Sequence, residues 1–194
     1  GIMTVIQHLE SHYGTYIPEG GMHNITKSLY DLARRNGVKF NFNKFVNEII
    51  LKKNKAVGLL VDGKKLPFDT VVSNMDIYPT YKKLMPKIKL PNNIKNQERS
   101  SSAVIFYWGL SKSFKDLDLH NIFFSKNYRD EFDSIFNKKN IYKDPTIYIN
   151  ITCKDVSTDS PKNCENWFVM INTCADSGQN WDLEVKKLRE IVLK

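Results

Sequence analysis

Apolar residues in the first third of the chain change period twice, and the two changes mark out its elements. Met22, Ile25, Leu29, Leu32 and Ala33 recur at spacings of three and four, which predicts an amphipathic helix. Lys27, Asp31, Arg34 and Arg35 fall outside that stripe, and Asn36-Gly37 supplies the stop, since glycine takes the left-handed conformation past a helix end without a Cβ clash. From Val38 the period becomes two. Val38, Phe40 and Phe42 alternate with Lys39, Asn41 and Asn43, predicting a strand with one buried face that runs on through Phe45-Val46 and Ile49-Ile50-Leu51. Lys53-Asn54-Lys55 is a turn, Val57, Leu59 and Val61 form the return strand, and Asp62-Gly63 turns again. The run Thr70-Val71-Val72-Ser73 is apolar enough for a strand covered on both faces.

Beyond about residue 77 the pattern differs. Pro86, Pro91 and the polar stretch 92–99 predict a connection. Residues 103–110, 121–125, 146–152 and 167–173 are β-prone runs that suit one antiparallel sheet. Residues 128–136 predict a helix with Phe132, Ile135 and Phe136 on one side, and residues 181–193 a second with Leu183, Leu188, Ile191 and Val192 on its stripe. A polar loop over 155–165 contains Ser160-Pro161.

In its order of elements and its short motifs the chain resembles the carotenoid desaturases of the phytoene dehydrogenase type, within the flavin amine oxidase superfamily. The resemblance is carried by Tyr16-Ile17-Pro18-Glu19-Gly20-Gly21-Met22, Gly37-Val38-Lys39-Phe40-Asn41, Val57-Gly58-Leu59, Val71-Val72-Ser73-Asn74-Met75-Asp76, Phe106-Tyr107-Trp108-Gly109-Leu110 and His120-Asn121-Ile122-Phe123-Phe124-Ser125. It implies a mixed α+β and α/β fold: part of a flavin-dinucleotide domain (helix, β-hairpin, return strand) over 16–76, an N-terminal helical segment over 1–15, and a substrate domain with an antiparallel sheet and packed helices over 77–194. Members of that family hold the dinucleotide with a G-x-G-x-x-G turn at a helix N-terminus. Glycine occurs here only at 1, 14, 20, 21, 37, 58, 63, 109 and 178, so no G-x-G is present. The expectation is that these residues are a middle segment of a longer enzyme, and that the segment alone does not hold FAD tightly.

The same resemblance implies the function. It is desaturation of a carotenoid precursor such as phytoene by an FAD-dependent oxidoreductase. The strand at Phe45 and Val46 is expected against the adenine through main-chain groups, Ser73 and Asn74 near the dinucleotide, and Gly20-Gly21 at its turn. No residue receives a catalytic or metal-binding role. A long hydrocarbon offers no charge to grip, so the substrate must be held by an apolar tunnel, at about 25 cal/mol per Å² buried. Phe106, Trp108, Phe123, Phe124, Tyr148 and Trp167, with Phe168, are the candidates, although alternation lets only half of them face one surface. Two other readings stand beside this one. A different flavin oxidoreductase, such as an amine oxidase or a retinol saturase-like enzyme, would need polar groups in its pocket; a non-catalytic lipid- or protein-binding module would need none of the flavin machinery.

Charge and cysteine content narrow the partners. Lys and Arg exceed Asp and Glu by 29 to 21, and the basic pairs are scattered over turns and helix ends as on a solvated surface. Peripheral attachment to an anionic membrane is the next use for that charge, and a cytoplasmic location is expected. No basic stripe interleaved with exposed aromatics marks a nucleic-acid interface. Cys153, Cys164 and Cys174 have no C-x-x-C spacing, which favours reduced thiols over a disulfide framework or zinc site. His8 and His12 lie four apart without a third ligand and read as a surface pair. Finally, a strand at residues 70–73 with an open edge predicts self-association.

Overall fold

The computed structural model describes residues 1–194. Two helices come first, α1 (Ile2–Tyr13) and α2 (His23–Arg35). Between them, Gly21 N–H donates to Pro18 O at 2.8 Å, closing a turn whose third residue, Gly20, has φ 75°. Only glycine takes that position without strain, so the Gly-Gly pair shapes the entry to α2. Asn36 N–H returns to the carbonyls of Leu32 and Ala33, and Gly37 follows at φ 82°, the predicted stop.

Residues 37–99 form one compact unit. Its centre is an antiparallel sheet of β1 (Val46–Lys52), β2 (Lys55–Val61) and β3 (Lys64–Pro67), in that spatial order. Both connections are two-residue turns with left-handed backbone at Lys53 and Asn54 (φ 50° and 62°) and at Asp62 and Gly63 (φ 48° and 78°). Such turns match the right-handed twist of the flanking strands, which explains why Asn and Asp-Gly stand there. Gly58 pairs between Ile50 and Pro67, and a Cβ on it would run into the Leu66 carbonyl. Because that obstacle is backbone, Gly58→Ala should cost about 1–3 kcal/mol, the usual range for overpacking; urea unfolding checks it, and an unchanged midpoint would show that β3 gives way freely. Ile49 is buried, as are Thr80 and Leu84 of the wide helical turn Thr80–Leu84 that follows α3 (Ile77–Pro79). Asp76 caps α3 by accepting from Tyr78 N–H at 2.9 Å. The short α4 (Asn92–Lys95) ends the unit, with Ile94 buried.

Two expected strands are absent from this unit. Val38, Phe40 and Phe42 lie outside the sheet, with all three side chains exposed, and β1 begins only at Val46. Residues 70–73 are also irregular, and Val72 is 90% exposed. The reason is the same in both places. A strand is a hydrogen-bonded arrangement, and no strand of either sheet pairs with these runs, however apolar their sequence. Consequently every strand pair in the chain is antiparallel, and the parallel return strand of the expected α/β element is not formed.

The other compact unit joins residues 1–36 to 100–194. Its sheet contains β4 (Ser102–Leu110), β5 (His120–Phe123), β6 (Ile147–Asn150) and β7 (Glu165–Thr173), in the order β4-β7-β6-β5, antiparallel as expected. Register divides its residues between two faces. Val104 lies opposite Ile171, Phe106 opposite Val169 and Trp108 opposite Trp167, while Ile147 and Ile149 continue the same face across β6. This face is covered by α6 (Trp181–Val192), whose Leu188 is fully buried with Ile171 and Val104, and whose Val185 and Val192 pack beside it. Leu188, Ile191 and Val192 of the expected stripe face the sheet, whereas Leu183 is exposed and Val185 takes the inward position; Asn180 caps the helix, accepting from Leu183 N–H.

Two buried carboxylates hold the remaining connections. Helix α5 (Tyr128–Asp133), extended by a wide turn over Ser134–Lys138, is tied to the start of β6 by Glu131, which accepts from Thr146 N–H at 2.8 Å and Thr146 Oγ1 at 2.6 Å. Glu165, 2% exposed at the head of β7, accepts from Ser113 Oγ, the Phe114 amide, Trp167 Nε1 and Lys154 Nζ, all at 2.8–2.9 Å. The three cysteine thiols are free. No group of three or more His, Cys, Asp or Glu residues could hold a metal ion, and no helix is long and apolar enough to cross a membrane.

Candidate nucleotide cavity and substrate face

In the unit 37–99, a cavity of about 800 Å³ is lined by Phe45, Val46, Ile49, Leu59, Val71, Val72, Ser73, Met75 and Leu84, with Lys44, Asn47 and Lys83 also on its wall. It brings together three of the expected cofactor residues, Phe45, Val46 and Ser73. Asp62 fixes how the first two are presented. Its amide donates to Phe45 O at 3.3 Å, its carboxylate accepts from Phe45 N–H at 3.3 Å, and Lys44 Nζ lies 3.0 Å from the same carboxylate. The Lys44 hydrogen bond, helped by the Phe45 amide and opposed by desolvation, holds the Asp62 carboxyl below its usual range. Since Phe45 and Asp62 are the bonded pair, the alternation of an antiparallel ladder turns the N–H and C=O of Val46 away from β2. Strand β1 is the sheet edge, so one donor and one acceptor of the main chain stand on its free side.

Ser73 is held in a tight turn. Its Oγ lies 3.1 Å from Thr80 Oγ1 and accepts from Met75 N–H at 3.3 Å, while Thr80 Oγ1 donates to Met75 O. Asn74 is exposed beside it and does not line the cavity. Gly20 and Gly21 belong to the other compact unit, where they shape the turn described above.

The aromatic candidates for substrate divide by the parity of the sheet. Phe106, Trp108 and Trp167 sit on the face that packs into the core with Ile149, Ile151 and Val169. Phe123 shares that face at its margin and is half exposed; Phe124, beyond the strand end, stands edge-on to Tyr128 with centroids 6.2 Å apart. Tyr148 alone of the six is on the opposite face, which no helix covers. There Tyr107 meets Phe168 edge-on at 5.5 Å, Phe168 meets Tyr148 at 6.4 Å, and Tyr148 stacks on His120 at 6.0 Å. Ile105, Met170 and Ile122 fill the same face by register. Tyr107, Ile105, Met170 and His120 were not among the expected site residues. Alternation within Phe106-Tyr107-Trp108 separates two faces, but only the position of α6 decides which one is open.

This open face carries one polar cluster. Asn150 Nδ2 donates to Leu119 O at 3.0 Å, which fixes its amide orientation, and its second N–H points at His120 Nδ1, 3.3 Å away. Tyr148 Oη lies 2.7 Å from the same Nδ1. Burial pushes the Tyr148 phenol up.

The site residues thus fall into two places, an edge-strand cavity with free main-chain groups and a sheet with one face covered by a helix and the other bare and aromatic. The pattern of the family "Flavin containing amine oxidoreductase" matches residues 2–145, and the chain belongs to that family. It is 53% identical over its whole length to a 1-hydroxycarotenoid 3,4-desaturase of Flavobacterium sp. (strain P99-3), covering 40% of that protein. It is 35% identical over 88% of its length to a phytoene desaturase of Cercospora nicotianae, covering 28% of it, and 32% identical over 84% to a 4,4'-diapolycopene oxygenase of Methylomonas sp, covering 33%. Thus the chain spans between a quarter and a half of the relatives it matches. A solved oxidoreductase from Methanosarcina mazei superposes on 96% of the chain and 42% of its own, with a TM-score of 0.58 at 15% identity, which shows a shared fold.

Proposed function

We propose that the protein carrying these residues is an FAD-dependent desaturase of acyclic carotenoids, and that the bare face of the four-stranded sheet is a wall of its substrate tunnel. The observation that carries this reading is the continuous apolar surface of Tyr107, Phe168, Met170 and Tyr148, which has almost no polar group to satisfy. A polyene gains by burying its length there, at roughly 25 cal/mol per Å², and needs no charged partner. An amine substrate would need an acceptor cluster that this face does not offer. The named activities of the relatives agree with the choice of substrate.

The cavity at Phe45 and Val46 fits the adenine end of FAD: it is apolar, wide enough for a flat ring, and bordered by the free donor and acceptor of Val46. Phe45, Val46 and the turn at Ser73 would hold that end, and Lys44 and Lys83 on the wall suit an adjacent negative charge. The chemistry supplied by the bound flavin is acceptance of a hydride from a saturated carbon, with a proton leaving its neighbour. The part of the sheet is to align the chain and exclude water. The surplus of basic residues supports peripheral attachment to an anionic membrane, the natural source of such a substrate.

Expression of the full-length coding region in cells that accumulate phytoene or an acyclic hydroxycarotenoid tests the reading. Extracted pigment should gain longer-wavelength bands as double bonds are added. Unchanged pigment beside a flavin-loaded protein would reject the carotenoid assignment.

A further inference from the structure

On the β5–β6 side of the bare face stands the polar cluster of His120, Tyr148 and Asn150, and its hydrogen bonds dictate what it can offer a ligand. Nδ1 of His120 faces the Asn150 amide nitrogen, which can only donate, at 3.3 Å, and the Tyr148 hydroxyl, which donates once Nδ1 is the acceptor, at 2.7 Å. Asn150 has no freedom to present its oxygen instead, because its nitrogen is bonded to Leu119 O. A nitrogen that receives donors must carry its lone pair, so the neutral imidazole has its proton on Nε2. That N–H belongs to an exposed side chain and carries no hydrogen bond within the chain. The ring therefore presents a donor, beside Tyr148 and Ile122, at the β5 side of a largely apolar face.

A single fixed donor at one side of an apolar surface matches a ligand that is hydrocarbon along its length and carries one oxygen near an end. We propose that Nε2–H of His120, held by Tyr148 and Asn150, donates to a terminal hydroxyl oxygen of the carotenoid and so sets which substrates are accepted and in what register they lie. The inference rests on the carotenoid reading above and deepens it from an apolar polyene to an end-hydroxylated one; the 53% identical relative is named for a 1-hydroxycarotenoid. The hydrogen bond exists in the bound substrate and in the transition state alike, so its loss appears in KM with kcat kept.

The test compares a 1-hydroxylated acyclic carotenoid with the same polyene lacking the hydroxyl, using the FAD-loaded full-length enzyme. The wild type should favour the hydroxylated substrate in kcat/KM by about tenfold or more, as expected of a site built to bond a substrate hydroxyl. His120→Phe should lose that preference through a raised KM for the hydroxylated substrate while leaving the other substrate unchanged. His120→Gln, which still offers an N–H, should keep part of the preference, and Tyr148→Phe, which frees the imidazole but keeps the edge-on contact with Phe168, should lose part of it. Equal treatment of the two substrates by the wild type, or an equal loss on both in His120→Phe, overturns the proposal alone. Conversion of neither carotenoid overturns the desaturase reading and the proposal with it.

Discussion

Replacing Glu165 with Gln should lower the stability of the unit containing the four-stranded sheet by about 3–5 kcal/mol, the range for removing one partner of a buried ion pair. Lys154 Nζ lies 2.8 Å from the Glu165 carboxylate and also donates to Phe114 O at 2.6 Å; neither side chain reaches open water easily. Gln is the same size, so what is lost is the counter-charge and not the packing. Replacing both partners with apolar residues of similar volume, Lys154→Met with Glu165→Leu, should recover much of the loss. Chemical denaturation of the two variants measures this, and a loss under about 1 kcal/mol for Glu165→Gln would show the charge pair to be idle.

The same carboxylate gives the fold an acid limit. Burial alone would raise its pKa, but the Lys154 ammonium, Trp167 Nε1–H, the Phe114 amide and the Ser113 hydroxyl together outweigh burial and hold it at about 2, against 4.5 for a free Glu. The folded value lies below the unfolded one, so the contribution is complete above about pH 4.5 and drains away as pH falls toward 2. Stability measured across that window should fall in the wild type and be flatter in Glu165→Gln.

Ile171→Ala should cost about 2–5 kcal/mol, because the side chain is fully enclosed between Val104, Ile147 and Leu188 and a cavity would remain. Ile105, one strand over and on the opposite face, is 39% exposed, and its truncation should cost less than about 1 kcal/mol. The contrast is informative beyond stability. Comparable losses at the two positions would mean that the face carrying Tyr107 and Phe168 is packed and unavailable to a substrate.

What the sequence discloses and what it hides can be traced to particular residues. The end of α2 at Asn36-Gly37 and the hairpin turns at Lys53-Asn54 and Asp62-Gly63 were legible because they depend on local left-handed backbone, which only a few residue types tolerate. The four strands of the larger sheet and α6 were legible from period. Residues 38–42 and 70–73 misled because a periodic or apolar run states a readiness to pair and not the presence of a neighbour. Trp108 and Tyr107 are adjacent and equally aromatic, and their opposite fates follow from where α6 docks, a tertiary fact. Burial of Glu131 and Glu165, and the meeting of His120 with Tyr148 across 28 residues, likewise need the register before they can be seen.

The account stands or falls on the bare face of the four-stranded sheet being the carotenoid wall, and Tyr107→Glu in the full-length enzyme tests it most directly. Tyr107 is 77% exposed, so the substitution should leave folding and flavin content intact, within about 0.5 kcal/mol. A carboxylate on an apolar tunnel wall cannot be desolvated cheaply by a hydrocarbon. The account predicts a folded, yellow protein that no longer converts its carotenoid; conversion at the wild-type rate would contradict it.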